Sequence, residues 1–489
     1  MENIRKTAMN IYSHRIKLSL CLFTLAIAGI LHAENAGTLF IGCSTIDITP
    51  SEPIALAGQF NMRISKGVDN PITATALAVE RRTGNQTSDY AVFVSCDLVV
   101  FRPTVIEPLR KILGRKIQNF NPKKVILTAT HTHTSAVLEE GVYDIPEKDV
   151  MKPSKYAEFL AEKLAEIVTR AWEQRQPGGV SWVLGHAVVG HNRRAVYADG
   201  TAKMYGSTND GKFRGIEGGE DHGIEMLFFW DKDNKPLAVC INVECPSQEV
   251  EGRSTINADF WHDVRTQIHK DISADLCVLG WPGACGDISP HRMYRKAAEE
   301  RMLKLRGLTY TQEIGRRTTT AVKDVYELAR NDIRTNVPLN HAVKDLSLPV
   351  RKVTEKELAE AKSQIEALEK KGDKSRKTAW HKKTIDRYES QEKESTFPIE
   401  MHVLRIGDIA IATNPFELFH DYGVQMQARS KAVQTFVIEL TDGWGGYLAT
   451  PRAIAGGGYS AVIESNRVGP EGGQILVEET VQTINDFFK

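Results

Sequence analysis

Val125-Ile126-Leu127-Thr128-Ala129-Thr130-His131-Thr132-His133 runs from six uncharged residues straight into two histidines spaced one residue apart. A short apolar run of this kind, entered from Lys124, reads as a buried strand that delivers His131 at its end. On an extended chain, residues i and i+2 point to the same side, so both imidazoles are expected to face one point. That suits a metal or a paired acid–base role. Upstream, Thr75–Val79 and Tyr90–Val94 read as strands, and Pro103–Leu113 has helical spacing. Downstream, residues 156–174 carry Phe159, Leu160, Leu164, Ile167 and Ala171 on one helical face. Strands are expected over 179–189, 224–230 and 237–243, and helices over 260–270, 298–305 and 312–329. Strands resume at 402–406, 409–413 and 436–440. This mixed order predicts an α/β or α+β fold in layers, one large domain without internal repeats.

Residues 352–395 differ in composition. They are dense in Lys and Glu, and Thr354 with Glu357 forms a capping box ahead of Leu358, Ala361, Ile365 and Leu368. A charged helical hairpin projecting from the body is expected.

The 489 residues carry 62 basic and 62 acidic side chains and are 42% hydrophobic. That balance gives no reason to expect nucleic acid or an anionic membrane surface as a partner. Arg5, Lys6, Arg15 and Lys17 precede an apolar run over Leu18–Leu31, and Leu31-His32-Ala33 reads as a cleavage site. Residues 1–33 are therefore expected to be a signal peptide, and residues 34–489 an exported protein, periplasmic or secreted, without a transmembrane segment. Six cysteines are left after cleavage; Cys43, Cys96, Cys240, Cys277 and Cys285 lie mostly in apolar runs and are read as buried thiols, while Cys245 stands apart.

Three further segments carry chemistry. Asn414-Pro415-Phe416-Glu417 puts a carboxylate at a strand end. Asp442-Gly443-Trp444-Gly445-Gly446-Tyr447 is a glycine turn from which a tyrosine rises. Gly283-Ala284-Cys285-Gly286-Asp287-Ile288-Ser289-Pro290-His291 joins small residues to Asp, Ser and His. Taken with Asp47-Ile48-Thr49-Pro50 and Thr130–His133, these segments resemble, in order and rough spacing, the catalytic domain of the neutral/alkaline ceramidase family. The resemblance implies a zinc hydrolase with a layered α-β-β-α domain. It implies His131, Glu417 and Tyr447 as zinc ligands, Ser289 at the reaction centre, and His133 beside substrate and water. Asp287 would orient its neighbours.

The sequence departs from the family at Cys245. In Asn242-Val243-Glu244-Cys245-Pro246 it stands where the remaining zinc-binding histidine is expected. A thiolate is a good zinc ligand, so the site is either His131, Cys245, Glu417 and Tyr447, or one that is rebuilt or free of metal. His191, Asp221 or His222 could replace the missing ligand. The segments around His191-Asn192-Arg193-Arg194 and Glu220-Asp221-His222 would suit a polar or anionic substrate. Three functions follow as expectations. The first is a zinc-dependent hydrolase of an amide or related acyl bond. The second is a carbohydrate-active enzyme, a glycosidase, esterase or lyase, on the same fold. The third is a metal-free binding protein. The substrate is expected to be a small molecule, a lipid or a glycan.

Overall fold

The computed structural model describes residues 37–489. The stretch expected to be a signal peptide lies outside the described residues.

The core is two sheets face to face. The larger has eight strands, in spatial order Cys277–Pro282, Pro236–Val243, Gly223–Asp231, Gln176–His186, Thr38–Asp47, Thr73–Thr83, Gln86–Cys96 and Val125–Ala129. It is mostly antiparallel, with parallel pairs at its two ends, Pro236–Val243 with Cys277–Pro282 and Gln86–Cys96 with Val125–Ala129. The smaller orders Leu339–Pro349, Thr396–Ile406, Ile409–Thr413 and Gln434–Ile438.

Alternation along the strands decides what faces what. From the large sheet Leu77, Phe93, Leu227, Phe229, Leu279 and Trp281 point inward. They meet Leu404, Ile406, Ile409, Ile411 and Phe436 of the small one. On its outer face, Val92, Val94, Val125 and Leu127 pack on helices Pro103–Lys116 and Pro153–Glu173. Further along that face, helices Phe260–Asp271 and Tyr310–Asn331 cover Met226, Phe228, Trp230 and Val239. The outer face of the small sheet is covered by His420–Arg429 and Pro470–Phe487. The layering is therefore α-β-β-α, as the family resemblance implies. The six cysteines among the described residues are all free.

Helices Glu355–Lys370 and Lys377–Ser390 form an antiparallel pair, the first opened by the Thr354–Glu357 capping box. The pair is not a free projection. Arg387 donates to the carbonyls of Ile463 and Asn466, His381 Nδ1 lies 2.9 Å from Glu464, and Trp380 packs edge-on against Phe60. Charged side chains cover its outer surface, while these few residues fasten it to the body.

Candidate active site

The strand Val125–Ala129 ends at Ala129, and Thr130–His133 follows as loop. His131 has φ 68°, a left-handed conformation uncommon for a side-chain-bearing residue. The two imidazoles thus meet through a backbone kink, and not through strand alternation as the spacing leads one to expect. Their ring centroids are 4.8 Å apart, nearly perpendicular. Close approach of the chain at Gly58 also confines His133, since a Cβ there would lie 2.4 Å from the ring. Glu417–Leu418 pairs in parallel with Tyr447–Leu448, placing Glu417 and Tyr447 side by side.

The hydrogen-bond partners fix the protons. His131 Nδ1 lies 2.7 Å from the carbonyl of Val99, an acceptor, so Nδ1 carries the hydrogen. Burial, outweighing the opposing charge of Glu417, pulls His131 down to about 4, so the ring is neutral and Nε2 presents a lone pair. Gln248 Oε1 accepts from Arg193 (3.1 Å), which turns the Gln248 amide nitrogen toward His133 Nε2 at 2.9 Å. His133 Nε2 must therefore accept, leaving the hydrogen on Nδ1, 3.1 Å from Glu251 Oε2. His131 Nε2 stands 3.3 Å from His133 Nε2 and 3.6 Å from Glu417 Oε2. The Gln248 amide meets the single lone pair of His133 Nε2, so His131 Nε2 and Glu417 Oε2 are two acceptors facing each other with no donor between them, an arrangement that calls for a cation or a water there.

The remaining contacts hold this cluster in place. Trp444 Nε1 donates to Glu417 Oε1 (3.0 Å). Arg193 is buried and spends its terminal N–H groups on Tyr205, Gln248, the Gly286 carbonyl and the Tyr447 hydroxyl. Burial and the Glu417 charge keep the Tyr447 phenol protonated, well above its usual range. The carboxyl of Glu439 accepts from the N–H groups of Cys285 and Leu418, tying the glycine-rich segment to the turn bearing Glu417.

His131, His133, Glu417, Trp444 and Tyr447 line one cavity of about 660 Å³, counting the space at its mouth. The other sequence-derived candidates stand outside it. Ser289 bonds Tyr205 (2.9 Å), which in turn bonds Arg193, so Ser289 sits behind the site. Asp287 accepts from Asn192 and from the backbone of His420 and is spent on the loop. His191 and His222 both approach Glu220, at 3.6 and 3.3 Å. Arg194 is consumed by Glu217 and by the carbonyls of Ala453 and Gly457.

Cys245 requires a correction. It is buried in the apolar cluster that holds Val189, Val243, Phe260 and Trp261, and burial pushes its thiol well above its usual range. A turn at the strand end, closed by Cys245 N–H to the Val243 carbonyl (2.8 Å), sends the thiol to the helix side of the sheet. Gln248 takes the place beside His133. Glu251, Tyr205 and Tyr459 also escape a sequence reading, since none sits in a motif.

Among the described residues, one group of three acid and imidazole side chains has its ligand atoms within 4.8 Å of one another: Glu400, His402 and Asp442. Arg110 reaches both carboxylates, Lys123 reaches Glu400, and His402 lies 3.2 Å from each acid. Cations already answer these carboxylates, so the group reads as an ion-pair network. Asp442 joins it to the strand Val125–Ala129 through the N–H of Leu127.

Neither a family model nor a curated protein matches this sequence. Among solved structures, the neutral ceramidase from Pseudomonas aeruginosa aligns with a TM-score of 0.64 at 16% identity, over 92% of this chain and 75% of that one. The fold is that of the neutral ceramidases. A second such structure, a ceramidase complexed with C2, has a TM-score of 0.64 at 15% identity, covering 91% of this chain and 74% of the other. At this identity the neutral ceramidase fold is what is shared, and the chemistry must be argued from the side chains.

Proposed function

We propose that the protein is a metal-dependent hydrolase that directs water onto an acyl bond, an amide in first place. One observation carries this reading: the lone pair of His131 Nε2 and the Glu417 carboxylate face each other, 3.6 Å apart, in the lining of an open cavity that His133 shares. The shared neutral ceramidase fold supports it.

The donor set fits a divalent ion, and imidazole, carboxylate and phenol oxygen together suit zinc. His131, Glu417 and Tyr447 would hold it, His131 oriented by Val99 in the manner of a metal-binding histidine. When bound, the ion supplies Lewis-acid polarisation of water or a carbonyl. His133 takes the proton from the attacking water at Nε2, the water replacing the Gln248 amide there, and passes it to the leaving group. Glu251, 3.1 Å from Nδ1, stabilises the imidazolium that forms. Arg193 holds the Tyr447 hydroxyl, and Trp444 holds Glu417. The apolar wall of Val99, Val100, Ala136, Val137 and Leu138 receives an acyl group.

We place this activity outside the cytoplasm, residues 1–33 acting as a leader. Among the described residues no helix is long and apolar enough to cross a membrane.

Turnover of an acyl-amide panel by the wild type and by His131→Ala tests the reading. Wild-type cleavage of at least one amide is expected, abolished by His131→Ala and by chelation and restored to the wild type by zinc. Undiminished turnover in His131→Ala would overturn it.

A further inference from the structure

The cavity has a second polar feature in its lining. Arg102 and Arg376 both line it, and the acids on its wall are Glu139 and Glu417. Glu139 lies 3.4 Å from Arg102 Nε. Glu417 is held at the floor by Trp444 beside His131. That leaves Arg376. Its backbone N–H donates to the Phe60 carbonyl, but among the described residues its guanidinium makes no ion pair and no hydrogen bond, and its Nε is buried without a partner. A guanidinium presents five donors in a fixed fork that matches a carboxylate. Arg376 is half-buried, so its terminal nitrogens are left for solvent or a ligand in the cavity to meet, while its buried Nε lacks a partner.

Its position is built. Arg376 stands at the junction of the two charged helices, immediately before Lys377–Ser390. Trp380 of that helix packs on Phe60 (5.4 Å) and on Tyr459 (5.7 Å), and Tyr459 packs on Tyr447 (5.8 Å). The guanidinium lies 5.5 Å from the Phe60 ring centre and 5.8 Å from that of Tyr143. A chain of aromatic contacts thus ties Arg376 to Tyr447. Arg193 and Arg194, which on sequence grounds suit an anionic substrate, are spent inside the protein.

We propose that Arg376 is the carboxylate-binding residue of this cavity, and that the substrate is an acylated compound bearing a carboxylate. The apolar wall beside the fork favours an N-acyl amino acid, and a uronic acid offers the same group on a sugar. The inference rests on the hydrolase reading for its cleavage step but not for its binding step.

Calorimetric titration of the full chain tests it, with N-hexanoylglycine against its neutral glycinamide, and glucuronate against glucuronamide. In at least one arm the carboxylate should bind about tenfold or more tighter than the amide, since charge-assisted bidentate pairing is lost in the amide. That arm assigns the source. Arg376→Gln should reduce the preference to about twofold, and Arg376→Lys, a point charge, should keep part of it. Trp380→Ala, which loosens the placement, should weaken carboxylate binding while leaving Arg376 present. Melting temperatures within a few degrees of wild type establish that the variants fold. Equal affinities in both arms, no binding in either, or a tenfold preference surviving Arg376→Gln would overturn the proposal. A preference that depends on Arg376, found without cleavage of any acyl substrate, supports the subsite and removes the hydrolase reading instead.

Discussion

His131 and His133 face each other with Nε2 atoms 3.3 Å apart, and both nitrogens are acceptors. Val99 fixes the first tautomer and Gln248 fixes the second. Neither histidine can satisfy the other; Gln248 meets His133, and His131 Nε2 is left with its lone pair toward the Glu417 carboxylate.

Gln248→Leu removes the donor that holds His133 Nε2 as an acceptor. We expect kcat to fall about 10- to 100-fold with metal content retained, the usual scale for losing an orienting partner. Because Gln248 is a positioning residue, the acid limb of the kcat/KM pH profile should also move. An unchanged profile and unchanged kcat would show that the amide does not set the tautomer.

Cys245→Ser tests whether the thiol that replaces the expected histidine belongs to the ligand set. The thiol lies in an apolar cluster, so metal content and turnover should be unaffected. Stability should fall by about 1–2 kcal/mol, because the hydroxyl is a more polar group to bury. Urea unfolding with metal analysis checks both. Loss of metal with the fold intact would restore Cys245 to the site.

The Glu400 network gives a pH prediction. Burial would raise the Glu400 carboxyl, but His402 and Arg110 outweigh it and bring it to about 2, against 4.5 ordinarily. A depressed folded value means that stability is present above pH 4.5 and is lost as pH falls from there toward 2. The full shift corresponds to about 3 kcal/mol, and solvent screening reduces it to about 1–2 kcal/mol. Unfolding free energies measured between pH 7 and 3 should show the gap between wild type and Glu400→Gln closing as pH falls. A gap that stays constant would contradict the assignment.

Tyr447→Phe keeps the ring that packs on Tyr459 but removes the hydroxyl shared by Glu417 and Arg193. Turnover should drop by about 100-fold, the scale of losing one preorganised polar contact in an active site. Zinc affinity should also weaken, read by chelator competition. Wild-type zinc affinity and turnover would remove Tyr447 from the site.

What the sequence reveals depends on how local the cause is. The apolar run Val125–Ala129 announces a buried strand, and the stripe through Leu160, Leu164 and Ile167 announces a helix, because each pattern lies within one element. The order of the eight strands is not legible, since pairings such as Pro236–Val243 beside Cys277–Pro282 depend on contacts far apart in sequence. His131, Glu417 and Tyr447 stand in short recognisable segments and line one cavity. The sequence leaves Cys245 open between ligand and buried thiol, because a single turn at a strand end decides which face a side chain takes. Arg376 was invisible for another reason: its segment reads as solvated charge, and only the packing of Trp380 on Phe60 brings it to the cavity.

The central claim is that the floor of the cavity holds a metal ion through His131. Elemental analysis of the purified wild-type protein and of His131→Ala, paired with circular dichroism to establish that both fold, tests it most directly. The account predicts about one zinc per wild-type chain and a loss of most of it in a folded His131→Ala. Folded wild-type protein without a stoichiometric transition metal, or His131→Ala with undiminished zinc, would contradict it.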